Sequence, residues 1–256
     1  MGNTVCVRNL VIGSGRPKIC VPVMGKNIQE LAENAAAALQ KQPDLVEWRA
    51  DYFADVQDTE RLKGAFRKIK EILGEIPLIF TVRTRKEGGM ADLTAEEYLR
   101  TVSGAIETKE MDLVDVEISH GDDISFMLIS LAHADGVKVI ASSHDFQKTP
   151  KKEEIILRLC KMQEMEADIP KIAVMPKSER DVLVLLDATL CMKELHGETP
   201  VITMSMGRMG VISRLAGEEF GSAVTFGVAK KASAPGQIDA EKLRELLEVF
   251  QVEHCR

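Results

Sequence analysis

Short apolar runs alternate with longer amphipathic runs along almost the whole sequence, and this alternation limits the possible folds more than any other feature. It predicts eight strand–helix units at intervals of roughly 30 residues, the size of a βαβ unit. Strict alternation predicts a parallel sheet covered by helices, and eight units in ~250 residues fit one closed (β/α)8 barrel. The predicted strands span 19–24, 45–51, 77–84, 113–119, 138–145, 169–175, 200–206 and 223–229. The predicted helices span 27–40, 60–73, 94–108, 122–134, 151–166, 178–195, 210–220 and 239–250.

A doubly wound open sheet is the alternative for the same alternation. Such a sheet usually begins with a glycine-rich nucleotide turn, and the sequence contains neither GxGxxG nor GxxxxGK[ST]. Residues 4–10 and 11–18 predict a small hairpin turned at Gly13-Ser14-Gly15, which would close the bottom of a barrel. We therefore predict one α/β domain over residues 1–256, a (β/α)8 TIM barrel with an N-terminal β-hairpin, within residues 1–18, plugging its bottom.

Composition and charge exclude several classes of protein. No apolar stretch approaches the ~20 residues that span a bilayer, and the N-terminus has no hydrophobic signal core, so we expect neither a membrane protein nor a secreted one. A net charge of -7 opposes general nucleic-acid binding but not an anionic substrate. Five cysteines without a CxxC motif predict reduced thiols in a cytoplasm. The five histidines show no metal-binding spacing, so we expect no histidine-based metal site.

Charged side chains recur with a period of two on the predicted strands. One face carries Glu47, Arg49, Thr81, Arg83, Asp115, Glu117, Ser142, His144 and Lys171. The other carries Val46, Trp48, Phe80, Val82, Val114, Val116, Ile118, Ile172 and Val174. Because the apolar face suits the helix-covered side, the charged residues should point into the barrel. Most lie toward the carboxyl ends of strands, where barrel active sites form, and the alternative is an internal salt-bridge network that only fills the barrel.

Lys171 stands apart because it lies early in its strand and therefore deep in a barrel. A lone strand lysine is usually exposed at an edge, but the sixth of eight barrel strands has no edge. Arginine and histidine around an inward lysine favour the neutral amine, the form that attacks a ketone, and His144 on the next strand could carry protons. The remaining histidines are interpreted as surface residues: His120, His133, His196 and His254.

Seven segments in order resemble the type I 3-dehydroquinate dehydratases of the shikimate pathway. They are Glu47-Trp48-Arg49-Ala50-Asp51, Thr81-Val82-Arg83-Thr84 with Glu87-Gly88-Gly89, Asp115-Val116-Glu117, Ser143-His144-Asp145-Phe146, Pro170-Lys171-Ile172-Ala173-Val174-Met175, Met204-Ser205-Met206 with Gly210-Val211-Ile212-Ser213-Arg214, and Ser233-Ala234-Pro235-Gly236-Gln237. Each stands at a predicted strand end or in the loop that follows. The resemblance covers nearly the whole chain and implies a (β/α)8 barrel.

The resemblance also implies roles for individual residues. A Schiff base would form on Lys171, His144 would be the general acid/base, and Glu87 would assist and orient that histidine. The implied substrate-binding residues are Arg214, Ser233 and Gln237 for the carboxylate and neighbouring oxygens, and Glu47, Arg49 and Arg83 for ring hydroxyls. It implies a small-molecule substrate, neither metal nor organic cofactor, no nucleic-acid or membrane partner, and a cytoplasmic homodimer. Pro22 departs from the small hydroxyl residue of some members and cannot donate its hydrogen bond.

Two other functions fit parts of the sequence. A class I aldolase shares the lysine chemistry, but aldolases acting on sugar phosphates need a phosphate nest after the last two strands, where this chain has Arg208 and residues 233–237. A non-catalytic barrel that binds a metabolite would not require both Lys171 and His144. We also expect residues 230–237 to form a lid ordered by substrate, because their composition is turn-like and lacks an apolar anchor.

Overall fold

A curled parallel sheet forms the centre of the computed structural model, which describes residues 4–230 and 232–250. The strands are β1 (Val5–Val7), β2 (Leu10–Ile12), β3 (Lys18–Val23), β4 (Leu45–Arg49), β5 (Leu78–Thr81), β6 (Leu113–Glu117), β7 (Lys138–Asp145), β8 (Ile169–Val174), β9 (Ile202–Ser205), β10 (Val224–Val228) and β11 (Ile238–Asp239). The helices are α1 (Ile28–Leu39), α2 (Thr59–Leu73), α3 (Ala95–Ile106), α4 (Asp122–Ala134), α5 (Lys152–Glu164), α6 (Glu179–Leu195), α7 (Ile212–Leu215), α8 (Gly217–Phe220) and α9 (Ala240–Val249).

The eight strands from β3 to β10 confirm the predicted barrel. The order in the sheet is β11-β10-β3-β4-β5-β6-β7-β8-β9, with every neighbouring pair parallel. The two ends meet where the backbone N–H of Ala223 donates to the Val201 carbonyl at 2.8 Å, beside a bridge between Val201 and Ser222. The short strand β11 was not predicted; it pairs with the end of β10 and returns the preceding loop to the barrel rim.

The predicted inward and outward faces of the strands are confirmed. Outward apolar side chains pack under the helices, where Trp48 makes edge contacts with Phe66 and Phe80 at ring-centroid distances of 4.8 and 5.4 Å. On the far side of the barrel, Ile172 and Val174 pack against α5 and α6. The interior thus receives the polar side chains.

The N-terminal hairpin closes the bottom of the barrel. Its side chains Val5, Val7 and Ile12 pack with inward residues from the starts of the strands, including Leu45 and Ile169. This cluster fills the end of the barrel opposite to the charged residues.

The predicted turn of this hairpin is wrong. Val7 pairs with Leu10, so the turn is Arg8-Asn9, and residues 13–15 instead lead from β2 into β3. Arg8 has a φ of +51°, a region that a side chain other than glycine seldom adopts. Its guanidinium donates to Asp112 at 2.6 Å and to the Gly74 carbonyl at 2.8 Å, and these tertiary bonds stabilise the turn.

The predicted helix over residues 210–220 is instead a short helical turn followed by α7 and α8. A Cβ on Gly210 would lie 2.1 Å from the Ser205 carbonyl oxygen, so only glycine permits this approach of the chain to β9. The Ser213 hydroxyl accepts from the Ser205 N–H at 2.9 Å and donates to the Gly210 carbonyl at 2.7 Å. These bonds bend the segment and leave Arg214 buried.

Aspartates directly precede alternate strands and link neighbouring strands at the bottom. Carboxylates of Asp44, Asp112 and Asp168 accept from the backbone N–H groups of Ile19, Leu78 and Val139 at 2.7, 2.9 and 2.8 Å. Each bond satisfies a backbone donor at the first or second residue of a neighbouring strand. Among the described helices, none has the length and apolar character needed to cross a membrane.

Candidate active site

A cavity of about 440 Å³ opens at the carboxyl ends of the strands, which is a size suited to a small molecule. It is lined by Glu47, Arg49, Arg83, Glu87, Gly88, His144, Phe146, Lys171, Ala173, Met204, Met206, Phe226, Ser233, Ala234 and Gln237. Eight of the nine predicted site residues are therefore brought together. The ninth, Arg214, is buried beside the cavity wall, with its Nη1 3.9 Å from Met204 Sδ.

Lys171 lies deep in this cavity, as its position in β8 predicts. Its Nζ donates to Asp115 Oδ2 at 2.9 Å, lies 3.6 Å from Glu47 Oε1 and stands 4.8 Å from the centre of the Phe226 ring. The sequence predicted cationic neighbours for this amine, whereas the structure places two carboxylates against it. The contact with Asp115 fixes the position of the amine at the base of the cavity.

Arg83 joins the carboxylates around Lys171 into one network. Its Nη2 lies 2.8 Å from Asp115 Oδ1, and its Nη1 lies 2.9 Å from Glu117 Oε1 and 3.5 Å from Glu87 Oε2. Burial opposes ionisation of Asp115 and Glu117, but the Arg83 charge outweighs it and lowers the pKa of both carboxyls. Burial likewise opposes the charge of Arg83, yet Asp115 and Glu117 raise the pKa of its guanidinium well above the ordinary value.

His144 and Glu87 form a second pair at the rim. Glu87 Oε2 lies 2.8 Å from His144 Nδ1 and accepts from the His144 backbone N–H at 3.1 Å. Burial and the charge of Glu117 raise the pKa of Glu87 to about 7. Burial, followed by the charges of Arg83 and Lys171, lowers the pKa of His144 well below its ordinary value. The arrangement can hold a neutral imidazole with Nε2 free for a proton transfer.

Arg49 connects the barrel wall to the loop over the cavity. Asp51 binds its guanidinium at two points, 2.8 Å from Nε and 2.9 Å from Nη2, and accepts from the Met90 N–H at 3.0 Å. The remaining Nη1 donates to the Ser233 carbonyl at 3.4 Å. The bidentate contact fixes the plane of the guanidinium and leaves one edge of it toward the cavity.

Ser233 and Gln237 satisfy each other within the loop after β10. The Ser233 N–H donates to Gln237 Oε1 at 2.9 Å, and Gln237 Nε2 donates to Ser233 Oγ at 3.0 Å. Gly207 N–H donates to the Pro235 carbonyl at 3.1 Å, which ties this loop to the loop after β9. Within the predicted lid, Lys231 lies outside the described residues.

Arg214 is a buried cation without a carboxylate partner among the described residues. Its Nη2 donates to the Pro235 carbonyl at 3.1 Å, while its Nε has no partner. Burial lowers the pKa of this guanidinium to about 10. An unpaired charge in such a place is costly unless an anion binds it, so the arrangement is suited to a ligand carboxylate.

The interpretation of His120 as a surface residue is wrong. Its ring stacks on Tyr98 at 4.0 Å, and its Nε2 lies 3.2 Å from Glu117 Oε2. The His120 side chain is only 8% exposed, because a short helical turn after β6 folds it back over that strand. By contrast, His133 and His196 are half-buried away from the cavity, and His254 lies outside the described residues.

Several residues that shape the cavity carried no assigned role in the sequence. The period-two pattern placed Asp115 and Glu117 on the inward face of their strand, but it could not show which side chains they contact. Phe146, Met204, Met206 and Phe226 form apolar parts of the wall, and an apolar strand residue gives no sequence signal for a ligand. Pro22, on β3, is buried and in register with Glu47.

Comparison of the sequence with those of known proteins identifies the family to which the chain belongs. The sequence profile of the type I 3-dehydroquinases matches residues 19–254. The chain belongs to the type I 3-dehydroquinase family. It is 49% identical over 250 residues to the 3-dehydroquinate dehydratase of Syntrophotalea carbinolica, covering 98% of this chain and 99% of that one. It is also 49% identical over 251 residues to that of Clostridioides difficile, covering 98% of each.

Solved structures of the family superpose closely on this chain. A type I 3-dehydroquinate dehydratase from Clostridium difficile, described with covalently modified comenic acid, has a TM-score of 0.94 at 48% identity and 98% coverage of both chains. The enzyme from Geobacillus kaustophilus has a TM-score of 0.94 at 41% identity and full coverage of both. The chain is therefore a hydro-lyase of this family, which separates it from the sugar-phosphate aldolases and from a non-catalytic barrel.

Proposed function

We propose that the enzyme removes water from 3-dehydroquinate to give 3-dehydroshikimate through a Schiff base on Lys171, with His144 as general acid/base. The observation that carries this proposal is that Lys171 and His144 line one cavity and that Arg214, which has no carboxylate partner among the described residues, lies beside its wall, in a chain of this family. The reaction belongs to the shikimate pathway, toward chorismate and the aromatic amino acids. It draws on protein side chains alone, without metal or organic cofactor.

The lysine supplies the electron sink. The Lys171 amine attacks the ketone carbon, and the ketone oxygen leaves as water, so that a C=N bond replaces the C=O bond. The resulting iminium carries a positive charge next to the carbon that must lose a proton. It withdraws electrons from that C–H bond far more strongly than the ketone does.

The histidine then moves the proton. With Glu87 bound to Nδ1, the free Nε2 accepts the proton from the carbon beside the iminium. The electron pair forms the new C=C bond as the β-hydroxyl leaves, and the imidazolium returns its proton to that departing oxygen. Water finally hydrolyses the iminium, which releases the enone product and restores the Lys171 amine.

The substrate carboxylate requires a fixed cation at the other side of the ring. Arg214 offers a planar pair of donors that no carboxylate occupies among the described residues, and Ser233 with Gln237 adds a hydroxyl and an amide. Arg49, Arg83 and Glu47 line the wall where the ring hydroxyls would lie. This division of roles orients the substrate so that the ketone faces Lys171.

Turnover and trapping test the proposal together. Mixing the protein with 3-dehydroquinate should produce the ultraviolet absorbance of an enone, unchanged by EDTA. Borohydride added with substrate should attach a stable mass to the Lys171 peptide, and Lys171→Ala should abolish both signals. An adduct on another lysine, turnover without any adduct, or activity lost to EDTA and restored by a divalent ion would contradict the mechanism.

We further propose a single domain over residues 1–256, assembled as a homodimer in the cytoplasm. Family resemblance supports the dimer, and the free thiols of the described cysteines suit a reducing compartment. Light scattering should give twice the chain mass of 28.3 kDa, and calorimetry should give one unfolding transition. A monomer, two separate transitions, or recovery from a cell-envelope fraction would contradict the respective part.

A further inference from the structure

Asp115 is the closest carboxylate to the reactive nitrogen, and its two oxygens have separate partners. Oδ2 accepts from Lys171 Nζ at 2.9 Å. Oδ1 lies 2.8 Å from Arg83 Nη2 and accepts from the Ser142 hydroxyl at 2.6 Å. The Asp115 side chain is fully buried. Because Arg83 and Ser142 hold one oxygen, the other is fixed in direction toward Lys171.

This carboxylate is unsuited to proton transfer. Burial opposes its ionisation, but Arg83 and then Lys171 hold the pKa of Asp115 well below its ordinary value. It therefore remains an anion throughout the pH range in which a histidine can exchange protons. The positive charge of an iminium on Lys171 would stand at the same nitrogen as the charge of the ammonium.

We propose that Asp115 is the counter-ion and the positioning residue of the Lys171 nitrogen, fixing the single N–H that remains in the iminium. The ammonium has three N–H bonds, facing Asp115, Glu47 and the Phe226 ring at 2.9, 3.6 and 4.8 Å. When the nitrogen replaces the ketone oxygen, which leaves as water, it keeps one N–H and the charge. The shortest contact, to Asp115, retains that hydrogen.

The direction of this N–H determines the geometry of the next step. An iminium is planar, so fixing its N–H also fixes the plane of the C=N bond and the direction of the neighbouring C–H bonds. Lys171 pairs with Ser142 across β7 and β8, and His144 follows two residues later on β7. Asp115 thereby holds the iminium in one plane relative to the base. This inference rests on the proposed Schiff-base function.

The charged groups around the pair come from four strands and the loops that follow them. They are Glu47 from β4, Arg83 after β5, Asp115 and Glu117 from β6, and His144 from β7. Glu117 provides a matched control because it also binds Arg83 from the same strand, at 2.9 Å, and is equally buried. The Glu117 oxygens bind Arg83, Thr84 and His120, whereas among the described residues the carboxylates against Lys171 are Asp115 and Glu47.

The test compares Asp115→Asn with Glu117→Gln by trapping with cyanoborohydride, which reduces only the protonated iminium. Adduct formation on Lys171 is measured by mass spectrometry across pH, together with kcat and KM. Without the anion the iminium loses its proton more readily. The pH at which trapping is half lost should therefore be lower in Asp115→Asn than in the wild type, by about one unit. Its kcat should fall on the order of 10²-fold, with a much smaller change in KM. Glu117→Gln should keep the wild-type trapping profile.

Two results would overturn the inference. One is a wild-type trapping profile in Asp115→Asn, and the other is an equal shift in both variants, which would place the effect on Arg83. If Asp115→Asn does not fold, the crystal structure of the reduced wild-type adduct decides. The adduct nitrogen should lie within hydrogen-bond distance of Asp115 Oδ2, and a nitrogen turned to Glu47 would refute the proposal. A wild-type protein that forms no Lys171 adduct would instead refute the Schiff-base function itself.

Discussion

Glu87 binds His144 at both its side chain and its backbone, since Oε2 lies 2.8 Å from Nδ1 and accepts from the backbone N–H at 3.1 Å. The double contact fixes the ring plane relative to β7. An ionised Glu87 requires the hydrogen on Nδ1, so the lone pair lies on Nε2, and it stabilises the imidazolium that forms during proton transfer. The ionisation of Glu87 therefore controls the base.

The first prediction concerns the acid side of the activity profile. Because the pKa of Glu87 is raised to about 7, kcat/KM should fall as pH drops below about 7. Glu87→Gln should remove this titration and lower the plateau roughly 10–100-fold, since an amide cannot neutralise an imidazolium. Steady-state rates measured between pH 5 and pH 9, at intervals of about one pH unit, would show both the lost titration and the lower plateau.

Stability provides a control for the same variant. A carboxyl with a raised folded pKa contributes stability that is fully present below its unfolded pKa and lost as pH rises through about 7. The free energy of unfolding of the wild type should therefore include a decline over this range that Glu87→Gln lacks. An activity profile of Glu87→Gln that keeps the wild-type acid limb would show that another group titrates there.

Arg214 should affect stability and substrate binding in opposite directions. The guanidinium is buried without an anionic partner among the described residues, so Arg214→Met should raise the free energy of unfolding by about 1 kcal/mol. The same change should lower kcat/KM, because the substrate carboxylate loses its partner. The activation free energy that corresponds to kcat/KM should rise by roughly 2–5 kcal/mol. Denaturant unfolding and initial rates measure the two quantities.

Arg208→Met is the matched control for this experiment, because Arg208 is exposed in the segment between β9 and α7, six residues before Arg214. It removes one positive charge without uncovering a buried site, and both its stability and its kcat/KM should stay near wild type. A large loss of stability in Arg214→Met with unchanged KM would assign the guanidinium a structural role instead.

The barrel and much of its site could be predicted from the period-two pattern, because inward and outward faces of a strand have different chemistry. Glu47 and Lys171 were placed correctly on that ground alone. Tertiary contacts decided what the pattern could not show. The Arg8 turn depends on Asp112, which is distant in sequence, and His120 is buried by a turn that folds it onto Tyr98. No local signal encodes such contacts.

The hairpin provides a prediction at the opposite end of the barrel. Ile12 is fully buried in the bottom cluster, so Ile12→Ala should lower the free energy of unfolding by about 2–5 kcal/mol. Val11 is exposed on the same strand, and Val11→Ala should change it by less than about 0.5 kcal/mol. Both variants should keep wild-type KM, measured well below the unfolding temperature. A raised KM in Ile12→Ala would show that the bottom plug and the site are coupled.

Contacts within the loop after β10 must change when substrate binds. Ser233 and Gln237 are bonded to each other, so binding a ligand oxygen requires that pair to open. The Pro235 carbonyl is bonded to Gly207 and Arg214, which anchors the middle of the segment. A Cβ on Gly236, whose φ is +80°, would lie 2.3 Å from the Gly207 carbonyl oxygen, so this anchor tolerates only glycine.

We therefore predict that residues 230–237 act as a lid whose amide hydrogens exchange more slowly when substrate or product is bound. Closure would exclude bulk water from the iminium and so prevent its early hydrolysis. Gln237→Ala should weaken ligand binding by roughly 1–3 kcal/mol, the cost of one lost buried hydrogen bond, without changing the unfolding midpoint. Gln147→Ala, in an exposed loop at the same end of the barrel, should leave binding unchanged. Equal exchange of the segment with and without ligand, measured by mass spectrometry, would mean that it is a rigid connector capped by Asp239.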